Sequence, residues 1–137
     1  MLFSIIIPAY NAASSLPETL SSIYQQTYDG YEIILINDGS ADATESVCKV
    51  FCESHNNTHY VRQNNMGVYE ARRKGAEISA GDYLVFVDAD DSLRFDTLSI
   101  LAREIDKCNP DIICFSYTRN PDYSNCLLYT SDAADEL

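Results

Sequence analysis

The sequence predicts an α/β fold in which a mostly parallel sheet is covered by helices on both faces. Short runs rich in isoleucine, valine and leucine alternate with stretches whose apolar residues recur at helical spacing. The short runs are nearly continuously apolar, which is typical of strands buried on both faces of a parallel sheet. This pattern predicts about five strands and four helices.

The first two strand–helix units are predicted from their apolar runs and from the residues that bound them. Residues 2–7 form a β-branched run that Pro8 ends, and a helix follows the capping-box spacing of residues 15–18. A second strand spans 32–36, and a second capping box over 42–45 opens the next helix.

The later elements follow the same alternation, with Gly81 and Asn109-Pro110 as helix stops. They are, in order, a weak strand over 59–62, a helix over 68–79, a strand over 83–87, a helix over 95–107 and a strand over 112–117. We expect residues 1–117 to form one domain. Residues 118–137 show neither period and are interpreted as an irregular or non-native tail.

Composition and net charge limit the classes of function and partner that this chain can have. The chain has 137 residues, 46% of them hydrophobic, which suits one compact domain. Its net charge of −12 disfavours a nucleic-acid polymer or an anionic membrane surface as a partner, because both repel an acidic protein. A small phosphorylated ligand stays compatible, since a bound divalent cation reverses the local field.

The expected compartment is the cytoplasm. No apolar run approaches the roughly 20 residues that span a bilayer, and the apolar start has no signal-peptide pattern around it. Membrane association of a full-length protein is left open. The five cysteines form no evenly spaced framework, so we expect free thiols in a reducing environment.

Four polar segments follow the predicted strands at their carboxyl ends, where open α/β sheets bind ligands. Each segment alone is an ordinary loop, but their coincidence on one sheet edge predicts a binding site. The segments are Pro8-Ala9-Tyr10-Asn11, Asn37-Asp38-Gly39-Ser40, Asn64-Asn65-Met66-Gly67 and Asp88-Ala89-Asp90-Asp91.

The acidic segment predicts a metal site. Asp88, Asp90 and Asp91 repel one another when ionised, unless one is protonated or a cation is shared. Carboxylate oxygens suit Mg²⁺ or Mn²⁺, which fill their other positions with phosphate oxygens and water. The alternative is a solvated turn in which Asp91 or Ser92 caps the next helix.

Four other residues have two interpretations each. Tyr10 could stack on a base or pack at the rim, and Asp38 could accept a base N–H or bond its own turn. Arg72 could neutralise a diphosphate or lie on a solvated helix face. Gly67 could bring the backbone close to a ligand or only relax a turn.

A second metal pattern is weaker. Cys48, Cys52, His55 and His59 have a spacing that resembles zinc ligands. The two cysteines lie one helical turn apart, but His59 begins a strand, so convergence would require a special bend. We expect small buried thiols and exposed histidines instead.

The segments together resemble the donor half of glycosyltransferase family 2, over roughly residues 2–117. Four motifs agree in order and spacing. They are Ser4-Ile5-Ile6-Ile7-Pro8-Ala9-Tyr10-Asn11, Glu32-Ile33-Ile34-Leu35-Ile36-Asn37-Asp38-Gly39-Ser40, the stretch from Asn65 to Arg72, and Asp88-Ala89-Asp90-Asp91.

The resemblance implies a GT-A fold and a nucleotide-diphosphate-sugar donor, most commonly a UDP-sugar. It also implies bound Mn²⁺ or Mg²⁺ and inverting transfer to a saccharide or lipid-linked acceptor, as in cell-wall or polysaccharide biosynthesis. Residues 8–10 would flank the base, Asp38 would read its N–H edge, Asp88 would lie near the ribose or donor sugar, and Asp90 would lead the metal ligands. The implied donor-binding residues are Pro8, Ala9, Tyr10, Asn11, Asp38, Gly67, Arg72, Asp88 and Asp90, and the implied metal ligands are Asp90, Asp91 and Asp88.

The chain departs from the family pattern in two ways. Asn37 stands where many members carry an aspartate, and Arg73 stands where an asparagine is common. Family members also carry the acceptor site and the general base in a second half, so we expect a truncated donor half whose base lies beyond the chain end. Nothing supports the remaining carboxylates Asp111, Asp122 or Asp132 as substitutes. The fifth strand is expected at an unpaired edge, where it invites self-association.

Two alternatives stay open. The same pocket without turnover would make a non-catalytic nucleotide-sugar-binding module. Residues 84–92, an apolar strand followed by Asp-x-Asp, also resemble the phosphatase motif of the haloacid dehalogenase-like group. That group carries the motif on its opening strand and needs a later lysine and acidic pair, which this chain does not supply in order.

Overall fold

Four parallel strands form the central sheet of the molecule. The computed structural model describes residues 1–116, 118–119 and 128–131. The strands are β1 (Phe3–Ala9), β2 (Tyr31–Asp38), β3 (Thr58–Gln63) and β4 (Tyr83–Phe86). Across the sheet the order is β3-β2-β1-β4, and all three pairings are parallel. The predicted α/β class is confirmed.

Helices cover both faces of this sheet and alternate with its strands. Ile5 and Ile7 of β1 face a large core that includes Leu20 and Leu101, whereas Ile6 faces a smaller core with Ala71. This split follows from the two-residue period of a strand. The helices are α1 (Leu16–Tyr24), α2 (Thr44–Ser54), α3 (Val68–Ile78) and α4 (Thr97–Cys108).

Helix α3 approaches the sheet closely at Gly75. A Cβ atom built on this glycine would lie 2.4 Å from Cγ2 of Ile6, which is fully buried in β1. Because the helix backbone lies this near the strand, α3 is held firmly over the sheet, and its first turns stand at the carboxyl edge.

The predicted fifth strand is real but does not join the central sheet. Strand β5 (Ile112–Phe115) pairs antiparallel with β6 (Leu128–Ser131) in a separate two-stranded sheet. The expectation of an irregular stretch from residue 118 is therefore wrong at 128–131. The other tail positions, including Asp122 and Asp132, and the predicted strand end at Tyr117 lie outside the described residues.

Neither predicted capping box forms. Helix α1 follows Ser15 and α2 follows Ala43, and neither flanking residue makes a side-chain cap bond. Ser15 donates to the distant Ala89 carbonyl instead, and Asp42 accepts from Thr44 nearby and from the distant Ala13. Within the described ranges, no helix is long and apolar enough to cross a membrane.

Candidate functional site

An open cleft of about 470 Å³ lies where β1 and β4 end at the carboxyl edge of the sheet. Parallel strands bring their following loops to one edge, so the cleft walls come from segments far apart in sequence. The lining residues are Pro8, Tyr10, Asn11, Ala12, Ser15, Val68, Arg72, Asp88, Ala89 and Asp90.

The turn after β4 holds three carboxylates together. Asp88, Asp90 and Asp91 are exposed, and each offers one oxygen within 4.8 Å of the other two. Partial burial, and then the charges of Asp90 and Asp88, raise the pKa of Asp91. The three oxygens are hard ligands at a shared centre, so the residues present fit Mg²⁺ or Mn²⁺.

The alternative of a helix cap is wrong for this turn. Helix α4 begins at Thr97 with Asp96 as its flanking residue, several positions after Asp91 and Ser92. The carboxylates of the turn therefore face the cleft edge without a helix terminus to satisfy.

Helix α1 anchors the acidic turn through two hydroxyl groups. Ser15 Oγ and Thr19 Oγ1 both donate to the carbonyl oxygen of Ala89, each at 2.9 Å. Thr19 is almost fully buried, and the two hydroxyls lie one helical turn apart. We missed these residues in the sequence, where the only available signal was a pair of hydroxyls at helical spacing.

Arg72 of α3 reaches the acidic turn from the opposite wall. Its Nη2 atom lies 2.9 Å from Oδ1 of Asp88. Its Nε atom is buried and has no hydrogen-bond acceptor among the described residues. Arg72 is thus a lining residue of the cleft and not part of a solvated helix face.

Asp38 holds the loop that precedes α3. Its Oδ1 accepts hydrogen bonds from Gln63 Nε2 at 2.9 Å and Met66 N at 2.8 Å, and its Oδ2 accepts from Gly67 N at 3.0 Å. Only 4% of Asp38 is exposed, and it does not line the cleft. Its partners lie at the end of β3 and in the loop that follows it, and not in its own turn.

Gly67 ends that loop with a φ of +95°. A Cβ atom there would meet nothing within 4 Å, so the backbone conformation and not a lack of space favours glycine. Gly67 flanks α3 but does not line the cleft, which supports the turn interpretation for this residue.

Hydrogen bonds join the loop after β1 to the loop after β2 on the side of the cleft where Tyr10 lies. Asn11, at φ +48°, donates its N–H to Ser40 Oγ and accepts at Oδ1 from Ala41 N. These bonds turn the chain so that Tyr10 stands 52% exposed over the cleft. Ala9 is buried within β1 and contributes no surface.

The predicted site residues thus divide into two groups. Six of them line the cleft, whereas Ala9, Asp38, Gly67 and Asp91 lie behind or beside it. The six are Pro8, Tyr10, Asn11, Arg72, Asp88 and Asp90. Ala12, Ser15, Val68 and Ala89 complete the lining and were not predicted.

The cysteine–histidine pattern does not converge in the described part of the chain, where the acidic turn is the metal-compatible group. His55 stacks on Tyr24 at 3.6 Å, and His59 lies 3.5 Å from Glu32. Burial raises the pKa of the Cys48 thiol to about 12, so this thiol stays protonated at neutral pH.

Comparison with known proteins assigns the family. Residues 4–125 match the description "Glycosyl transferase family 2". The chain belongs to this family. It is 38% identical over 114 residues to the glycosyltransferase GlyA of Streptococcus pneumoniae, covering 83% of this chain and 16% of GlyA. It is 38% identical over 122 residues to YibD of Escherichia coli, an uncharacterized glycosyltransferase, covering 84% of this chain and 35% of YibD.

Solved structures agree with the family and give the fold as GT-A. Residues 1–349 of S. aureus TarS in complex with UDP-GlcNAc align with a TM-score of 0.77 at 27% identity, over 82% of this chain and 33% of that one. The mannosyltransferase PcManGT of Pyrobaculum calidifontis, with GDP-Man and Mn²⁺, aligns with a TM-score of 0.77 at 25% identity, over 90% and 37%. The chain spans 16% to 45% of the length of the curated family relatives.

Proposed function

We propose that this chain is the donor-binding part of an inverting glycosyltransferase that uses a nucleotide-diphosphate-sugar, most simply a UDP-sugar, together with Mn²⁺ or Mg²⁺. The acceptor would be a saccharide or a lipid-linked saccharide, as in polysaccharide or cell-wall synthesis. One observation carries the proposal: three carboxylates offer oxygens within 4.8 Å of one another, and two of them, Asp88 and Asp90, line a cleft of about 470 Å³.

Each wall of the cleft has a distinct task in this proposal. Asp90, with Asp91 and Asp88, would hold the cation, which supplies positive charge to the leaving diphosphate. Tyr10 would stack on the base, because its ring is exposed over the cleft. Arg72 would donate to the diphosphate, since a guanidinium matches two phosphate oxygens at once.

Asp38 would act on the base chiefly by positioning. Two of its three accepted bonds hold Met66 and Gly67 in place, and its Oδ2 accepts only one of the three. The loop before α3 would then form the floor on which the base rests.

The general base, which would take the proton of the acceptor hydroxyl, needs a carboxylate other than those that hold the cation. The described carboxylates that line the cleft are Asp88 and Asp90, and both are assigned to the cation. A carboxylate that takes the acceptor proton is therefore not available there. We expect the 137-residue chain to bind donor and cation but to transfer sugar slowly or not at all.

Two other candidate functions receive less support. A phosphatase of the haloacid dehalogenase-like type would carry its nucleophile on the opening strand, whereas the acidic turn here follows β4, and residues 4–125 match a glycosyltransferase family. A non-catalytic nucleotide-sugar-binding module would use the same cleft, and transfer by a longer form of the protein would separate it from an enzyme.

The test is thermal unfolding with Mn²⁺ and UDP, with GDP as a parallel ligand. A ligand at 100 times its dissociation constant stabilises the native state by about 2.7 kcal/mol, so the melting temperature should rise by several degrees. Asp90→Asn should abolish most of this rise. Asp106→Asn, an exposed aspartate of α4 outside the cleft, is the matched control and should keep it. No shift with either nucleotide would refute the proposal.

A further inference from the structure

We propose that Arg72 is the internal counter-cation of the acidic turn, and that it leaves Asp88 when a nucleoside diphosphate enters the cleft. The divalent cation would then bind weakly alone and more tightly with the diphosphate. This inference rests on the proposed function and concerns the order and coupling of its two ligands.

The ion pair between Arg72 and Asp88 is the first observation. Nη2 and Oδ1 are 2.9 Å apart, and the two side chains are 40% and 52% exposed. Ion pairs exposed to this degree are weak, because water competes for both partners. The contact is therefore easily exchanged for a stronger one.

The second observation is that Arg72 is incompletely satisfied in this pairing. Its Nε atom is buried yet donates to no acceptor in the described residues. An unsatisfied buried donor is unfavourable, and an anionic oxygen arriving from the cleft would relieve it. Phosphate oxygens suit the guanidinium better than one carboxylate oxygen, since two parallel N–H bonds then form.

The charges at the turn couple the binding of the cation to the binding of the diphosphate. Three carboxylates share the turn and one of them, Asp88, pairs with Arg72, so a cation that replaces Arg72 there meets less repulsion and gains the Asp88 oxygen as a ligand. While Arg72 stays, it occupies Oδ1 of Asp88 and keeps a positive charge beside the cation site. Whatever draws Arg72 away therefore strengthens cation binding, and linkage requires the cation to strengthen diphosphate binding equally.

Arg73 offers a matched comparison on the same helix. It pairs with Glu70 at 3.1 Å and Glu77 at 3.3 Å on the solvent face of α3, and it does not line the cleft. Replacing either arginine by glutamine removes one positive charge from α3. The difference between the two variants isolates the direct contact with Asp88.

The experiment measures Mn²⁺ binding to the 137-residue chain from the electron paramagnetic resonance signal of free Mn²⁺, without UDP and with saturating UDP. Without UDP, Arg72→Gln should bind Mn²⁺ about threefold more tightly than Arg73→Gln, the size of one half-exposed ion pair. For each variant, the Mn²⁺ dissociation constant without UDP is divided by the constant with UDP. In Arg72→Gln this ratio should be smaller than the wild-type ratio by about fivefold or more, and in Arg73→Gln it should stay near the wild-type ratio.

Arg72→Lys separates charge from geometry, since lysine keeps the positive charge but lacks the planar fork. It should bind Mn²⁺ alone as weakly as the wild type, and still lose part of the gain from UDP. Equal Mn²⁺ affinities in Arg72→Gln and Arg73→Gln, or an unchanged ratio in Arg72→Gln, would overturn the inference. If the wild type binds UDP with Mn²⁺ in that case, the proposed function stands. If the wild type binds no UDP with Mn²⁺, both are refuted.

Discussion

Asp38 illustrates how a buried carboxylate can shape a site without lining it. Three donors surround it, and two of them are backbone N–H groups of the loop before α3. Backbone donors bonded to a carboxylate are worth more than those bonded to a neutral acceptor. The position of Val68, which does line the cleft, therefore depends on a residue that is only 4% exposed.

Asp38→Asn should destabilise the fold and loosen this loop. The amide NH₂ would face one of the three donors, so at least one bond is lost, and the cost is about 1–3 kcal/mol in the free energy of unfolding. Urea unfolding measures that cost, and hydrogen exchange should show faster opening at Met66 and Gly67. Asp29→Asn, an exposed aspartate, is the control and should leave both unchanged. Normal protection at Met66 and Gly67 in Asp38→Asn would contradict this role.

Asp42, just before α2, uses its carboxylate differently: its hydrogen bonds connect two neighbouring segments. Asp42 accepts from Thr44 N at 3.0 Å and from Ala13 N at 3.1 Å, so one carboxylate joins α2 to the loop after β1. Its bond from the Thr44 hydroxyl is the main cause that holds the pKa of Asp42 below its usual range, and partial desolvation opposes it.

This lowered pKa sets the sign of a pH dependence. A carboxyl whose pKa is lower in the folded state stabilises the fold fully above its unfolded pKa, near 4, and loses that contribution as the pH falls through the folded value. Asp42→Asn should therefore lower the urea midpoint at pH 7 and pH 5, and the gap to wild type should close below about pH 4. Asp106→Asn should show no such closing gap. A gap that persists unchanged at low pH would contradict the assignment.

Helix and strand positions were largely predictable, whereas the partners of their end residues were not. Apolar runs and helical spacing located β1, β2, β4 and the helices to within a few residues. This works because a strand buried on both faces is a continuous apolar run, and a helix buried on one face has apolar residues at helical spacing. Ser15 and Asp42 were assigned to capping boxes from spacing alone, yet their observed partners include Ala89, 74 residues away from Ser15, and Ala13. Such long-range pairs leave no local pattern.

The candidate site was predicted for a related reason. In a parallel sheet every strand delivers its next loop to the same edge, so polar segments that are scattered in sequence become neighbours. The cleft lining at Tyr10, Arg72 and Asp88 follows from that rule. The pairing of the fifth strand could not be predicted in this way. A short apolar run does not indicate whether its partner is the main sheet or a later strand such as β6.

At the level of the whole molecule, exposed apolar side chains favour self-association. Leu84 and Phe86 of β4 are 42% and 49% exposed, and in the described part of the chain β4 pairs with β1 alone. Ile112 and Phe115 of β5 are exposed to a similar degree. An apolar strand edge that lacks a partner invites pairing with another chain.

We therefore expect the 137-residue chain to associate with itself as its concentration rises, now through β4 as well as β5. Phe86→Lys should weaken this association, because a charged side chain on an edge strand disfavours pairing. Sedimentation velocity at several concentrations measures it. Val50→Lys, on the exposed surface of α2, should behave like wild type. A single monomeric species at about 100 μM in the wild type would contradict this expectation.

The parallel order of the sheet has a practical side as well. Met1 lies two residues before β1, so it stands at the end of the sheet opposite the cleft, roughly 20 Å away along a seven-residue strand. A fluorophore, an affinity handle or a surface linker attached there would leave nucleotide and manganese free to enter. Immobilised or dye-labelled protein is accordingly a sound format for the titrations described above.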